Sequence, residues 1–243
     1  MARLPKKIEE CPIKEAVFEI RYFSECPVDA IFGILYAAIK DSFTEEPVSL
    51  PVLQLPEAIR ERDPNLKYQA YHKITKGNMC LNIGPRVLAF ANSDTYEGWT
   101  EWSEFFYTLL EKIKTVEVLN KIERMGLRYI NLFDGNIFDK VKLEVKINDR
   151  ILREESTNLR TEIIDDDFVK ILQIGNSVNI AKNDMVNNGS VIDIDILHDI
   201  NDTSDFLANY RDVIEKAHVK EKELFFSLLE ESFLEELKPD YGE

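Results

Sequence analysis

Three arginines with carboxylates beside them are the residues whose types and spacing offer the clearest chemistry. Arg21, Arg128 and Arg160 each lie inside a predicted strand. Glu19 precedes Arg21 by two residues and Glu162 follows Arg160 by two, so each carboxylate shares a strand face with an arginine. These residues have two interpretations. They form ion pairs on a solvated sheet face, which we favour, or they line a groove in which Arg21, Arg128, Arg160 and Glu19 bind an anionic ligand through two-pronged guanidinium contacts.

A pair of acidic residues, Asp193 and Asp195, offers a second chemistry. Side chains two positions apart on a strand point the same way, so both carboxylates could bind one Mg²⁺ ion. The preceding Gly189-Ser190 is faintly similar to the nucleotidyltransferase signature, but that signature places a helical turn between its two parts and this sequence does not. We favour a polar row on the open face of an antiparallel strand and keep a Mg²⁺-dependent enzyme as an alternative.

Other catalytic and cofactor patterns fail on spacing. The nine glycines form neither the dinucleotide-binding nor the phosphate-loop motif. The three histidines, His72, His198 and His218, include no pair with the helical spacing of zinc ligands. Three scattered cysteines are too few for a zinc site or a disulfide framework. We therefore predict no cofactor and no metal site, and we favour a non-catalytic protein over an enzyme.

The charge distribution restricts the partners. The net charge is −15, and residues 135–243 carry 13 Lys and Arg against 25 Asp and Glu. Nucleic acids and anionic membranes are bound through Lys and Arg, so neither is an expected partner. We expect instead a protein partner with a basic surface, and a homodimer as the default oligomer. The odd cysteine count and the absence of an apolar leader or of a run of ~20 apolar residues predict a cytoplasmic protein.

The elements that must position these residues follow from hydrophobic periodicity. The first half reads as a strand, a helix, a proline-rich loop over residues 44–65, a hairpin and an aromatic-rich helix. The second half is rich in strands and ends in helices. Two turns are predicted there, at Asp165–Asp167 and at Asn187–Gly189. The predicted strands cover residues 15–23, 66–75, 79–92, 122–133, 141–147, 159–164, 168–174, 178–181 and 191–197, and the main helices residues 31–43, 99–113 and 202–229.

This order of elements predicts an α+β fold. Strands and helices do not alternate regularly, so the sheets are expected to be mostly antiparallel. The two halves, 1–120 and 121–243, share a loosely similar order of elements, and each has an Arg-Tyr pair on its opening strand. No linker rich in serine, glycine or proline separates them. We predict two α+β halves that pack as one unit.

Three short segments resemble a sporadically distributed, uncharacterised family of bacterial and archaeal proteins of about this length. They are the opening stretch 11–22, the central stretch 124–131, which contains Gly-Leu-Arg-Tyr-Ile-Asn, and the closing helical stretch 225–237. The resemblance implies a shared architecture and carries over no catalytic residue. The patchy distribution of that family resembles that of accessory genes such as toxin–antitoxin or defence components.

Three functional hypotheses follow. The first, which we favour, is a non-catalytic protein-interaction component of such an accessory system, in which the acidic second half and the loop 44–65 engage another protein. The second is a sensor of a small anionic ligand that uses the arginine face, which consists of Arg21, Arg128 and Arg160 together with Glu19. The third is the Mg²⁺-dependent enzyme that uses Asp193 and Asp195.

Overall fold

The computed structural model describes residues 4–182 and 185–242, and within them the chain has the predicted α+β fold with mostly antiparallel strands. No helix in this part of the chain combines the length and the apolar character needed to span a bilayer. Three short 3₁₀ turns, at Lys40–Ser42, Pro51–Gln54 and Pro64–Leu66, accompany the main elements. In chain order the strands and α-helices are β1 (Lys7–Ile8), β2 (Ile13–Phe23), α1 (Val28–Ile39), β3 (Val48–Ser49), α2 (Glu57–Arg62), β4 (His72–Lys76), β5 (Met79–Gly84), β6 (Val87–Ser93), α3 (Trp99–Ile113), β7 (Lys121–Asp134), β8 (Val145–Ile147), β9 (Arg150–Leu152), β10 (Thr157–Asp165), β11 (Phe168–Lys182), β12 (Met185–Asp199), α4 (Thr203–Leu228), α5 (Glu231–Glu236) and β13 (Pro239–Asp240).

The chain forms two compact units, each built from separated segments. Unit 1 comprises residues 1–15, 128–196 and 215–243, and unit 2 comprises residues 16–127 and 197–214. The units therefore differ from the two predicted halves, 1–120 and 121–243. Compact units can be discontinuous because long strands and helices carry the chain from one group of contacts to another.

Unit 2 has the strand order β7-β2-β6-β5-β4-β3 and an aromatic core. Alternate residues of β2, from Ala16 to Tyr22, are fully buried, as the period of two predicts. The ring of Phe18 lies 4.8 Å from that of Phe106 on α3, and Trp102 contacts Phe106 at 5.2 Å. The aromatic stripe of α3 therefore faces the core of unit 2.

Unit 1 has the strand order β10-β11-β12-β7. Its inner face carries Tyr129 from β7 and Ile192, Ile194 and Ile196 from β12, all of them buried. The hairpin β10–β11 pairs Asp165 with Phe168, so the predicted turn at Asp165–Asp167 is confirmed. Asp166 has a φ of 54°, the left-handed backbone conformation that two-residue hairpin turns require.

Several local predictions need correction. The predicted turn at Asn187–Gly189 lies inside β12, because the ladder of a long strand can override the turn preference of an Asn-Gly sequence. The predicted strand over residues 79–92 is two strands, β5 and β6, with Pro85 and Arg86 between the paired residues Gly84 and Val87. The start of α4 is as predicted: Asp202 Oδ1 accepts hydrogen bonds from the backbone amides of Ser204 and Asp205.

Candidate functional site

Arg128 on β7 forms a two-pronged ion pair with Asp193 on β12. Arg128 Nε donates to Asp193 Oδ1 at 2.8 Å, and Arg128 Nη2 donates to Asp193 Oδ2 at 2.6 Å. The side chain of Asp193 is only 9% exposed, whereas that of Arg128 is 43% exposed. The hydrogen bonds that Arg128 donates to Asp193 raise the pKa of Arg128 against the opposing effect of burial, and the charges of Asp195 and Glu15 add to the rise. This pair is therefore a two-pronged, charge-assisted contact between neighbouring strands of unit 1.

The pair is the centre of a polar row across the sheet of unit 1. Gln173 on β11 donates from Nε2 to Asp193 Oδ2 at 3.2 Å, and the Cα partner of Gln173 on β10 is Arg160. Arg160 itself donates to Glu162 at 2.7 Å. Arg128 and Arg160 therefore share a face, but three strand spacings of ~4.8 Å separate them, roughly 14 Å in all. They do not converge on one small anion.

The other predicted site residues, Arg21 and Glu19, belong to unit 2. Arg21 Nε donates to Glu19 Oε1 at 2.6 Å, and Arg124 Nη2 lies 3.8 Å from the same oxygen. The guanidinium of Arg21 also lies 4.3 Å from the centre of the Tyr68 ring. Tyr68 in turn donates its hydroxyl to Glu123 at 2.7 Å. Each predicted arginine is thus neutralised by a carboxylate of its own unit, and their role in binding a ligand stays a prediction.

Asp193 is poorly placed to bind Mg²⁺. Both of its carboxylate oxygens already accept hydrogen bonds from Arg128, and one also accepts from Gln173. A metal ion would have to displace a two-pronged guanidinium contact. Ser190, which the sequence places before the acidic pair, is fully buried inside β12 and donates to the backbone oxygen of Gly135. Among the residues that the structure describes, no group of three or more His, Cys, Asp or Glu side chains could hold a metal ion.

The inner face of unit 1 holds ionisable groups from α4. Burial lowers the pKa of His218 to about 3, and the charge of Lys222 adds to the effect. The hydroxyl of Tyr129 lies 3.2 Å from His218 Nδ1. One turn further along the helix, Glu221 is 6% exposed, and burial raises its pKa to about 8 against the opposing charge of Lys222. At these pKa values, His218 and Glu221 are both neutral in the folded protein at pH 7.

The strand β10 forms one edge of the sheet in unit 1. It pairs with β11 and with no other described strand. Because Asp165 and Phe168 close a two-residue hairpin turn, alternate residues from Asp165 backwards bond to β11, and those between them direct their N–H and C=O groups outward. Ile164 is 82% exposed and Ile163 is 40% exposed. The outward-directed residues are Asn158, Arg160, Glu162 and Ile164.

Sequence reasoning missed two features of this site. It did not connect Arg128 with Asp193, because residues 65 positions apart become neighbours only through strand order. It predicted the strand β10 but not its position at the edge, although polar residues on both faces of this strand are a signal of an edge. No family model matches the chain, and no curated protein matches it.

Proposed function

We propose that the protein is a non-catalytic interaction component that binds an extended segment of a partner protein along β10. The observation that carries the proposal is the nine-residue edge strand with outward-directed backbone groups and two exposed isoleucines. An added strand would satisfy those N–H and C=O groups, and its side chains would contact Ile163 on one face and Ile164 on the other. Exposed apolar side chains at an unpaired edge are typical of interaction surfaces.

The charge around β10 favours a basic segment as the partner. Residues 154–170 carry six carboxylates against Arg160 and Lys170. A second copy of the chain, itself with a net charge of −15, would bring like charges together. A segment rich in Lys or Arg would be attracted, and its association would slow at high ionic strength.

The two alternative functions have weaker support. The anion sensor would require the arginine face to exchange carboxylate partners for a ligand, because Arg21, Arg128 and Arg160 each hold an ion pair. The Mg²⁺-dependent enzyme would require Asp193 to release Arg128. The interaction function needs no such exchange, because β10 pairs on one side only among the described strands.

The cellular setting is part of the same proposal. The three short segments that resemble the sporadically distributed prokaryotic family support an accessory role, such as a toxin–antitoxin or defence component. The scattered cysteines and the acidic composition support a cytoplasmic location. A homodimer stays a prediction that the experiment below also examines.

The test is purification of the tagged protein from its own cells in three forms. Glu162→Pro removes an outward-directed N–H without removing a bond to β11, so it should block strand addition and leave the hairpin intact. Glu162→Thr is the matched control, because it removes the same carboxylate and keeps the N–H group. We expect a stoichiometric basic partner with the wild type and Glu162→Thr, and its loss with Glu162→Pro.

Two outcomes would overturn the proposal. One is retention of the partner by Glu162→Pro when circular dichroism shows the same fold as the wild type. The other is a wild-type protein that purifies without any stoichiometric partner. Size-exclusion chromatography of the three purified proteins shows whether the protein is a homodimer. If the wild type is a dimer and Glu162→Pro is a monomer, the segment that binds along β10 belongs to a second copy of the chain and not to a basic partner.

A further inference from the structure

Unit 2 contains a cleft that the sequence did not indicate. It lies between the start of α1, the segment 57–71 and the β5–β6 turn, and it comprises two adjoining cavities of about 280 and 210 Å³. The backbone of the segment 57–71 packs closely against the β5–β6 turn. A Cβ atom added to Gly84 would lie 2.3 Å from the backbone oxygen of Gln69, and the amide of Tyr71 donates to the oxygen of Ile83 at 2.8 Å.

Three cationic side chains line this cleft: Arg60, Lys67 and Arg86. Each lies over an aromatic ring, Arg60 over Tyr71 at 4.8 Å, Lys67 over Tyr68 at 4.6 Å and Arg86 over Phe23 at 5.4 Å. No ion pair between described residues involves any of the three. They differ in this respect from the arginines of the strands, whose charges are already neutralised. Arg60 Nε donates to the backbone oxygen of Leu55 at 3.1 Å. Stacking orients each of the three cations and leaves its remaining N–H groups available to an anion.

The remaining walls of the cleft combine two carboxylates with apolar side chains such as Val28, Ile31 and Leu66. Asp29, at the start of α1, and Glu57, on α2, line the same cavity. The adjoining cavity is lined by His72, whose ring stacks on Phe32 at 3.7 Å. His72 Nδ1 is buried, and no described residue forms a hydrogen bond with it. A buried ring nitrogen without a partner costs stability unless a ligand or water completes its hydrogen bonding.

We propose that this cleft binds a small phosphate monoester that carries hydroxyl groups. Arg60, Lys67 and Arg86 surround the phosphate, whose charge and oxygen geometry match guanidinium and ammonium donors. Asp29 and Glu57 accept hydrogen bonds from the hydroxyl groups, which a purely cationic site could not do. The carboxylates therefore select against inorganic phosphate and in favour of a hydroxylated ester. This site is independent of β10 and of the proposed interaction function.

The test uses isothermal titration calorimetry and thermal shift with three probes: ribose 5-phosphate, inorganic phosphate and ribose. We expect ribose 5-phosphate to bind at micromolar to millimolar concentration, inorganic phosphate to bind more weakly and ribose not to bind. Arg60→Gln and Arg86→Gln should each weaken binding by about ten-fold or more, the effect of losing one charge-assisted contact. Arg160→Gln is the matched control, because it removes an arginine that is already paired on a strand of unit 1.

Asp29→Asn tests the binding of the hydroxyl groups separately from the binding of the phosphate. It should weaken ribose 5-phosphate and leave inorganic phosphate unchanged or tighter, because only the ester has hydroxyl groups for the carboxylate. The melting temperatures of the unliganded variants report whether each protein is folded. The proposal is wrong if no probe binds the wild type, or if binding persists unchanged in Arg60→Gln and Arg86→Gln. Equal binding of inorganic phosphate and ribose 5-phosphate would reject the hydroxylated ester as the ligand.

Discussion

The buried carboxyl of Glu221 makes the stability of this protein depend on pH in a predictable direction. Burial raises its pKa from 4.5 to about 8. Between these two values the folded protein holds a proton that the unfolded chain has released. The free energy of unfolding therefore decreases as pH rises, and the contribution is fully present only below the pKa of the unfolded chain.

The magnitude follows from the size of the shift. One pKa unit corresponds to about 1.4 kcal/mol, so a shift of this size corresponds to roughly 5 kcal/mol in total. Glu221→Gln replaces the protonated carboxyl by a neutral group of the same shape. The variant should match the wild type at about pH 4 and exceed its stability by roughly 4 kcal/mol at about pH 8.

The assay is urea denaturation of the wild type, Glu221→Gln and Glu223→Gln at several pH values between these limits. Glu223 is a half-buried residue two positions along the same helix, and its replacement controls for the loss of one negative charge on α4. The effects of other titrating groups, including His218, are common to all three proteins and cancel in the differences. A difference between Glu221→Gln and the wild type that stays constant across this range would refute the reasoning.

Three further predictions follow from contacts within single units. Asp193→Asn should lower the free energy of unfolding by about 1–3 kcal/mol, because it leaves Arg128 without its carboxylate. Arg160→Gln should lower it by less than about 0.5 kcal/mol, because the ion pair of Arg160 is exposed. Urea titrations of the two variants measure both changes. Equal costs would contradict the distinction between the two ion pairs. Gly84→Ala should lower the free energy of unfolding by about 1–3 kcal/mol in the same assay, because the added Cβ would lie 2.3 Å from the backbone oxygen of Gln69. An unchanged midpoint of urea denaturation would contradict that close approach. His218→Gln should reduce the loss of stability below about pH 6.5, because burial lowers the folded pKa of His218 to about 3 and protons then favour the unfolded chain. An acid-unfolding curve that coincides with the wild type would contradict this prediction.

Much of the fold could be predicted from the sequence. The period of two in β2 and the aromatic stripe of α3 each follow from which residues are apolar and how they are spaced. The N-cap at Asp202 and the turn at Asp165–Asp167 depend on local backbone chemistry. The predicted turn at Asn187–Gly189 failed, because the ladder of β12 outweighed a local preference.

Less of the candidate sites could be predicted from the sequence. The residues of the arginine face were correctly placed on strands, but their partners depend on which strands are neighbours. The availability of β10 depends on its position as the last strand of the order, which no property of its nine residues determines by itself. The cleft of unit 2 depends on the packing of the segment 57–71 against the β5–β6 turn.

The sequence by itself determined the α+β class, the faces of the longest elements and the uneven acidity, because these depend on residue type and short-range spacing. Only the tertiary structure decided that Asp193 neutralises Arg128 and that Arg60, Lys67 and Arg86 have no carboxylate partner among the described residues. The physical reason is that hydrogen bonds and ion pairs act over a few ångströms. Long-range strand order and loop packing bring distant residues within that range, and the spacing of residues along the chain does not encode this proximity directly.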